Sequence, residues 1–231
     1  MHVKGWVKSS LVDFPGRIAA SLFSGGCNFR CPNCHNADLV LYPNQLPDLA
    51  EDEIWTFLEQ RRGVLDGVVL SGGEPTLQPD LSAFVARLHQ LGFSVKLDTN
   101  GYLPDLLEKA IADRTLDYVA MDVKAPMNKY AEATGTEIDT ARIVRSIDLL
   151  LGSEIEYEFR TTVVPGILDE DDIVRIGEQI DGAHSYYLQQ FVPRNTLDPA
   201  MMDCPPYSPS RIKAMVELVR PYVESVRVRG I

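Results

Sequence analysis

Strand-like and helix-like segments alternate through almost the whole chain, and that rhythm restricts the fold more than any other feature. "IAASLFS" (18–24) reads as a first strand running into a cysteine-rich loop. "EDEIWTFLEQRRG" sets Ile54, Phe57 and Leu58 on one helical face and stops at Gly63. "GVVLSGG" is a short buried strand, "DLSAFVARLHQLG" a helix between Asp80 and Gly92, and "SVKLDTNG" a strand. "PDLLEKAIA" is a helix with Pro104 in its first turn, and "DYVAMDVKAP" a strand. "DTARIVRSIDLLLG" (helix), "EIEYEFRTTVVPG" (strand) and the acid-opened helix "DEDDIVRIGEQI" continue the pattern. "SYYLQQFVP" is the last strand, and "SPSRIKAMVELVRPYV" a closing helix bent or ended at Pro221. Such alternation predicts a parallel sheet with crossover helices. About six units are too few to close an eight-stranded barrel. The expected fold is therefore α/β, a partial (β/α)6 barrel, with residues 1–231 as one domain.

Five polar insertions fall at the C-terminal ends of predicted strands: the cysteine loop, "SGGEP", "LDTNG", "MDVKAP" and "VVPG". That edge is where parallel α/β folds build their sites, and the clustering favours an enzyme. The net charge of -11 argues against a protein that grips nucleic-acid backbones. The start, "MHVKGWVKSSLVDFPG", lacks the features of a signal peptide, and no apolar run is long enough to span a bilayer. A cytoplasmic protein without membrane contact is expected. In that compartment thiols stay reduced, so clustered cysteines suggest metal or redox chemistry.

"GGCNFRCPNCHN" (25–36) places Cys27, Cys31 and Cys34 within eight residues and supplies no fourth cysteine nearby. Three thiolates can hold three corners of a 4Fe-4S cubane and leave one iron open, whereas full ligation takes four cysteines. Other uses compete. Zinc could take the three cysteines and His35 or another histidine, although structural zinc sites usually pair their ligands as separated knuckles. "CPNC" alone resembles a thioredoxin-type redox pair, which would leave Cys27 idle. Plain buried cysteines would not sit among Asn28, Arg30, Asn33 and Asn36. The full spacing favours the cluster.

C-x3-C-x2-C after a first strand, followed by "SGGEP" after the next, resembles the radical S-adenosylmethionine (SAM) superfamily. The third cysteine followed by His-Asn is similar to the glycyl-radical-enzyme activases, and "SLVDFPG", "LSGGEPTLQ", "LDTNGY", "MDVKAP" and "TTVVPG" extend the likeness over most of the chain. Within that group the short length and the cysteine loop resemble activating proteins of the anaerobic ribonucleoside-triphosphate reductase type, with pyruvate formate-lyase activating enzyme a near relative. The resemblance implies a partial barrel of the radical SAM type, with S-adenosylmethionine chelated by the open iron. Reductive cleavage would yield a 5′-deoxyadenosyl radical, which takes a hydrogen from a glycine of the partner enzyme. It further implies an electron donor such as flavodoxin or ferredoxin. The cofactor carries the hard chemistry and the protein supplies position.

The resemblance also assigns site residues. Gly72 and Gly73 would let backbone approach a ligand and Glu74 would accept from the methionine ammonium; the plainer reading of Glu74 is an acid at a strand-to-helix turn. Asp98, Thr99 and Asn100 lie near the methionine and ribose, and Asp98 with Asp122 would offer oxygens to a monovalent cation of the kind related activases hold there. As plain caps, Asp98 and Asn100 would instead serve the helix from Pro104. Lys124 would pair with the cofactor carboxylate or with Asp122, and Asn33 and His35 would contact adenine or cluster sulfurs. Tyr186 and Tyr187 read as packing residues, one of Gln189 and Gln190 as facing the barrel interior, and Cys204 as a free thiol. Two rival functions remain at this stage. One is a radical SAM enzyme acting on a small molecule, similar to the 7-carboxy-7-deazaguanine synthases; the other is a non-catalytic iron–sulfur or zinc binding protein.

Overall fold

A computed structural model describes all 231 residues. Two compact units make up the chain: Met1–Asn28, Asp38–Thr99 and Asp105–Val119 in the first, and Phe29–Ala37, Asn100–Pro104 and Ala120–Ile231 in the second. The first unit is built on β1 (Val3–Ser10), β2 (Ala19–Ser24), α1 (Ala37–Leu41), α2 (Glu51–Gln60), β3 (Gly67–Gly72), α3 (Leu81–Gln90), β4 (Ser94–Thr99) and α4 (Pro104–Ala112). β1 runs antiparallel to β2, and β2–β3 and β3–β4 are parallel. Leu22, Val68, Leu70, Val95 and Leu97 are fully buried on these strands. The apolar stripes of α2 and α3 meet at Trp55 and Phe84, whose rings lie 4.6 Å apart, with Ile54, Leu58 and Leu88 completing the core.

β5 (Tyr118–Asp122) leads into the second unit, which holds α5 (Tyr130–Thr134), α6 (Thr140–Leu151), β6 (Glu156–Val163), α7 (Glu170–Gln179), β7 (Tyr186–Gln190), α8 (Pro209–Val219) and β8 (Val226–Arg229). β6–β7 and β7–β8 are parallel. The acid-rich start of α7 forms a capping box, in which Asp169 accepts from the Asp172 N–H and Asp172 accepts from the Asp169 N–H. Pro209 begins α8 after the Ser208 cap, and the helix ends at Val219, ahead of Pro221. At Gly177 of α7 a side chain would meet the Tyr222 ring at 2.8 Å, so glycine lets the ring pack against the helix. Tyr186 is fully buried and donates to Thr161 Oγ1 (2.8 Å), and Tyr187 is 9% exposed; both pack, as expected.

The strand order is β1 to β8 in sequence. The six strands expected from the alternation are β2 to β7, and two more frame them. β1 and β8 escape the pattern for a physical reason. Both stand last in the sheet order, where charge discourages a second chain from pairing. β1 carries Lys4, Gly5 and Lys8, and β8 is only four residues of alternating Val and Arg. No helix is long and apolar enough to cross a membrane.

Candidate active site

In the first unit the approach to Cys27 is held by backbone. β2 ends at Ser24, and Gly25 and Gly26 turn the chain, Gly26 with φ +87°. The "GGEPTLQ" segment after β3 then donates to three successive carbonyls. Gly73 N–H donates to Ser24 O (2.9 Å), Gln78 Nε2 to Gly25 O (3.0 Å) and Glu74 N–H to Gly26 O (2.8 Å). A β-carbon on Gly72 would overlap the Ser24 backbone, and one on Gly73 would overlap the Gly26 carbonyl oxygen. The close approach that these glycines permit is therefore to the neighbouring loop. Glu74 is 1% exposed, and its Oε1 accepts from Thr76 N–H (3.1 Å), Thr76 Oγ1 (2.5 Å) and Thr99 Oγ1 (2.8 Å). It acts as the acid of a strand-to-helix turn, capping the short 3-10 turn Pro75–Leu77 and fastening it to the end of β4. Asp98 on that strand accepts from the buried Lys96 (2.5 Å).

In the second unit the rest of the loop is pinned to the segment after β7. Cys34 N–H donates to Cys31 O (3.0 Å), closing a turn around Pro32 and Asn33. Leu197 N–H donates to Cys34 O (2.9 Å) and Asp198 N–H to Pro32 O (2.9 Å). His35 stacks on Phe191 (6.5 Å between centroids) and its Nε2 donates to Val192 O (2.8 Å), so this ring anchors the loop. Asn195, within the clasp, takes a left-handed φ of 53°. Sequence reading missed this clasp because nothing in "VPRNTLDP" marks a partner some 160 residues away. Asn100 Oδ1 accepts from Tyr102 N–H (3.0 Å), a turn cap ahead of α4.

The charged residues at the end of β5 form a compact group. Asp122 accepts from Lys124 Nζ through Oδ2 (2.9 Å) and from Arg160 Nε through Oδ1 (2.8 Å). Burial alone would push the Asp122 carboxyl up, but Arg160 and then Lys124 outweigh it and hold it well below the usual carboxylate range. Burial would likewise lower the Lys124 ammonium, and Asp122 first, then Cys31, hold it above the ordinary lysine range. Burial pushes the Cys31 thiol up while Lys124 pulls it down, and Cys34 and Asp122 add to the upward push. Cys31, Cys34, Asp122 and Lys124 are thus electrostatically linked. Lys124 and Asn33 also line a cavity of about 10 Å³ with Thr162, Val164 and Leu168, room for about one water. Arg160, 38 residues beyond Asp122, was not foreseen.

All four cysteines are free thiols, and Cys204 lies apart, its Sγ 3.6 Å from Pro165 O. No three His, Cys, Asp or Glu side chains converge as ligands of one ion would. A cubane asks for no such convergence, because each thiolate meets a different iron corner. Three free thiols on one short loop fit that demand, and Cys27, Cys31 and Cys34 are the residues that would hold it. Lys124, although its ammonium is bonded to Asp122, is near enough to favour the thiolate form of Cys31 against the effect of burial.

The family described as the radical SAM superfamily matches residues 21–176. A Methanocaldococcus jannaschii protein, provisionally named a glycyl-radical enzyme activating enzyme, is 35% identical over 99% of this chain and 96% of its own length. A pyruvate formate-lyase-activating enzyme of Staphylococcus aureus is 30% identical over 85% of this chain and 82% of its own. Among solved structures, SuiB of Streptococcus suis bound to S-adenosylmethionine superposes with a TM-score of 0.66 at 15% identity, over 90% of this chain and 49% of that one. That likeness shows the fold, an α/β architecture of the partial-barrel class expected from the alternation.

Proposed function

This chain belongs to the radical SAM superfamily and within it to the glycyl-radical-enzyme activating enzymes, and on that premise we propose that its partner is anaerobic ribonucleoside-triphosphate reductase. It is an enzyme, which sets aside the reading as a bare metal-binding module. The observation that carries the partner assignment is the loop "GGCNFRCPNCHN" in a chain of only 231 residues, the combination that resembles activators of that reductase. The 30% identity to a pyruvate formate-lyase-activating enzyme supports pyruvate formate-lyase as a second candidate. The electron donor we propose is a reduced flavodoxin or ferredoxin.

When bound, the cluster and S-adenosylmethionine supply a primary carbon radical; the chain's own residues supply position. Cys27, Cys31 and Cys34 hold the cluster. Lys124 takes the cofactor carboxylate, the charge-assisted contact that its partly buried ammonium can give. Gly72, Gly73 and Glu74 act through the loop they buttress. Asn33 and His35 shape the turn beside Cys34, and Asp98 and Asn100 fix the end of β4 and the turn after it. Asp98 and Asp122, the expected oxygens for a monovalent cation, are already held by Lys96, Lys124 and Arg160. Activity is therefore expected to survive replacement of sodium and potassium by a bulky organic cation. The whole chain is proposed to act as one radical SAM domain, a reading supported by a relative that aligns with 99% of it.

The test is anaerobic reduction with dithionite in the presence of S-adenosylmethionine and each candidate partner, followed by electron paramagnetic resonance. A carbon-centred doublet that vanishes when the partner's glycine becomes alanine is the expected result. Turnover of a small molecule, with no response from either partner, would move the assignment to the biosynthetic radical SAM enzymes.

A further inference from the structure

Beyond Asp122 the charges do not stop. Arg160 Nε lies 2.8 Å from Asp122, and its NH1 lies 4.0 Å from Glu158 Oε1. Glu158 is fully buried and accepts two parallel hydrogen bonds from Arg229, at 2.7 and 2.9 Å. The Arg229 guanidinium also lies over the Tyr187 ring, 3.6 Å from its centroid. The register explains the line. Glu158 and Arg160 are two apart on β6 and share a face, Arg160 is aligned with Tyr187, and Arg229 on β8 is aligned with Gln189 on β7. Signs alternate from one end to the other: Lys124, Asp122, Arg160, Glu158, Arg229.

We propose that Arg229, at the far end of this ladder on the last strand, is a positioning residue for Lys124 and thereby for the cofactor carboxylate. The inference rests on the assignment of Lys124 to that carboxylate. Its physics is a competition for Arg160. A buried carboxylate stripped of its bidentate partner draws harder on the cations that remain beside it, and Arg160 is 4.0 Å away. Drawn toward Glu158, Arg160 would loosen its grip on Asp122. Asp122 would then lean on Lys124, and the lysine would be less available to the cofactor. Arg229 keeps Glu158 satisfied, so that Arg160 stays with Asp122 and Lys124 is shared rather than captured.

The experiment measures S-adenosylmethionine affinity of the cluster-loaded protein, with thermal stability recorded beside it. Arg229→Met is expected to weaken binding by about five- to tenfold, within the range of coupling seen in charge networks. Glu158→Gln in the same chain removes the competing charge and should return affinity to within about twofold of wild type. Arg229→Lys keeps a cation near Glu158; it should bind within about threefold of wild type and serves if the methionine variant does not fold. Lys124→Met reports on the underlying assignment and should weaken binding by at least about tenfold. Weak binding in Lys124→Met together with wild-type affinity in Arg229→Met overturns the ladder and leaves the lysine assignment standing. A loss in Arg229→Met that Glu158→Gln does not relieve also overturns it, tracing the effect to lost packing on Tyr187. Unchanged affinity in Lys124→Met sinks the assignment and the ladder with it.

Discussion

A methyl group at Gly73 would run into the carbonyl oxygen of Gly26, the residue immediately before Cys27. Neither side is a flexible side chain, so the backbone must shift, at a cost of about 1–3 kcal/mol for an overpacked site. Gly73→Ala is expected to reconstitute with markedly less iron per chain while its far-ultraviolet circular dichroism stays wild type; full iron content would show that the loops tolerate separation. Cys27→Ala, Cys31→Ala and Cys34→Ala should each lose the cluster, and Cys204→Ala, whose thiol sits by Pro165, should keep it. Iron lost from Cys204→Ala would mean a four-cysteine site. At this scale the cysteines were legible because their spacing is local. The reach of Glu74 to Thr99, and of Arg160 to Asp122, was not. Such pairs are made when strand ends come together, and nothing in the intervening sequence records them.

Elements were legible in proportion to how much of their pattern is their own. α2, α3, α6 and α7 each carry a full apolar stripe, and their predicted spans agree with the observed helices to within a few residues. The clasp from Val192 to Asp198 has no periodicity and acts through backbone groups, the Leu197 and Asp198 N–H and the Val192 carbonyl, which every sequence offers. Gln78 is the one side chain among the three donors to the Ser24–Gly26 carbonyls. Gln78→Leu should lose about 1 kcal/mol of stability for the broken hydrogen bond and, if the buttress matters, broaden the resonance spectrum of the reduced cluster. A lower melting temperature with an unaltered spectrum would limit Gln78 to stability. The α7 capping box supplies the contrast. Asp169→Ala removes the cap and should lower stability by about 0.5–2 kcal/mol, leaving iron content untouched.

For the whole molecule, strand–helix alternation pointed to the α/β class, but the two framing strands and the ladder that ends on β8 were beyond it. Much of what the fold gathers is buried charge, and acid is the direct probe of it. Asp122 titrates well below the ordinary carboxylate range, because Arg160 and Lys124 overcome the effect of burial. Its unfolded value is about 3.9. A carboxyl depressed in the folded state contributes stability in full above its unfolded value, and that contribution is lost as pH falls through the folded one. Every exposed acid titrates alike in a variant, so the informative quantity is the gap between wild type and Asp122→Asn. At pH 7 the variant should melt about 4–8 °C lower, for roughly 2 kcal/mol of lost charge-assisted bonding in a chain of this size. The gap should hold from pH 7 to about pH 5, begin to narrow below about pH 4 as the unfolded carboxyl protonates, and keep narrowing to the lowest pH, since folded Asp122 protonates only well below the ordinary carboxylate range. Melting of the reduced apoprotein by circular dichroism between pH 2.5 and 7, in paired buffers at fixed ionic strength, measures it. A gap that stays constant to the lowest pH would mean that asparagine merely packs badly beside Arg160, and that the ion pairs at the end of β5 add nothing to stability.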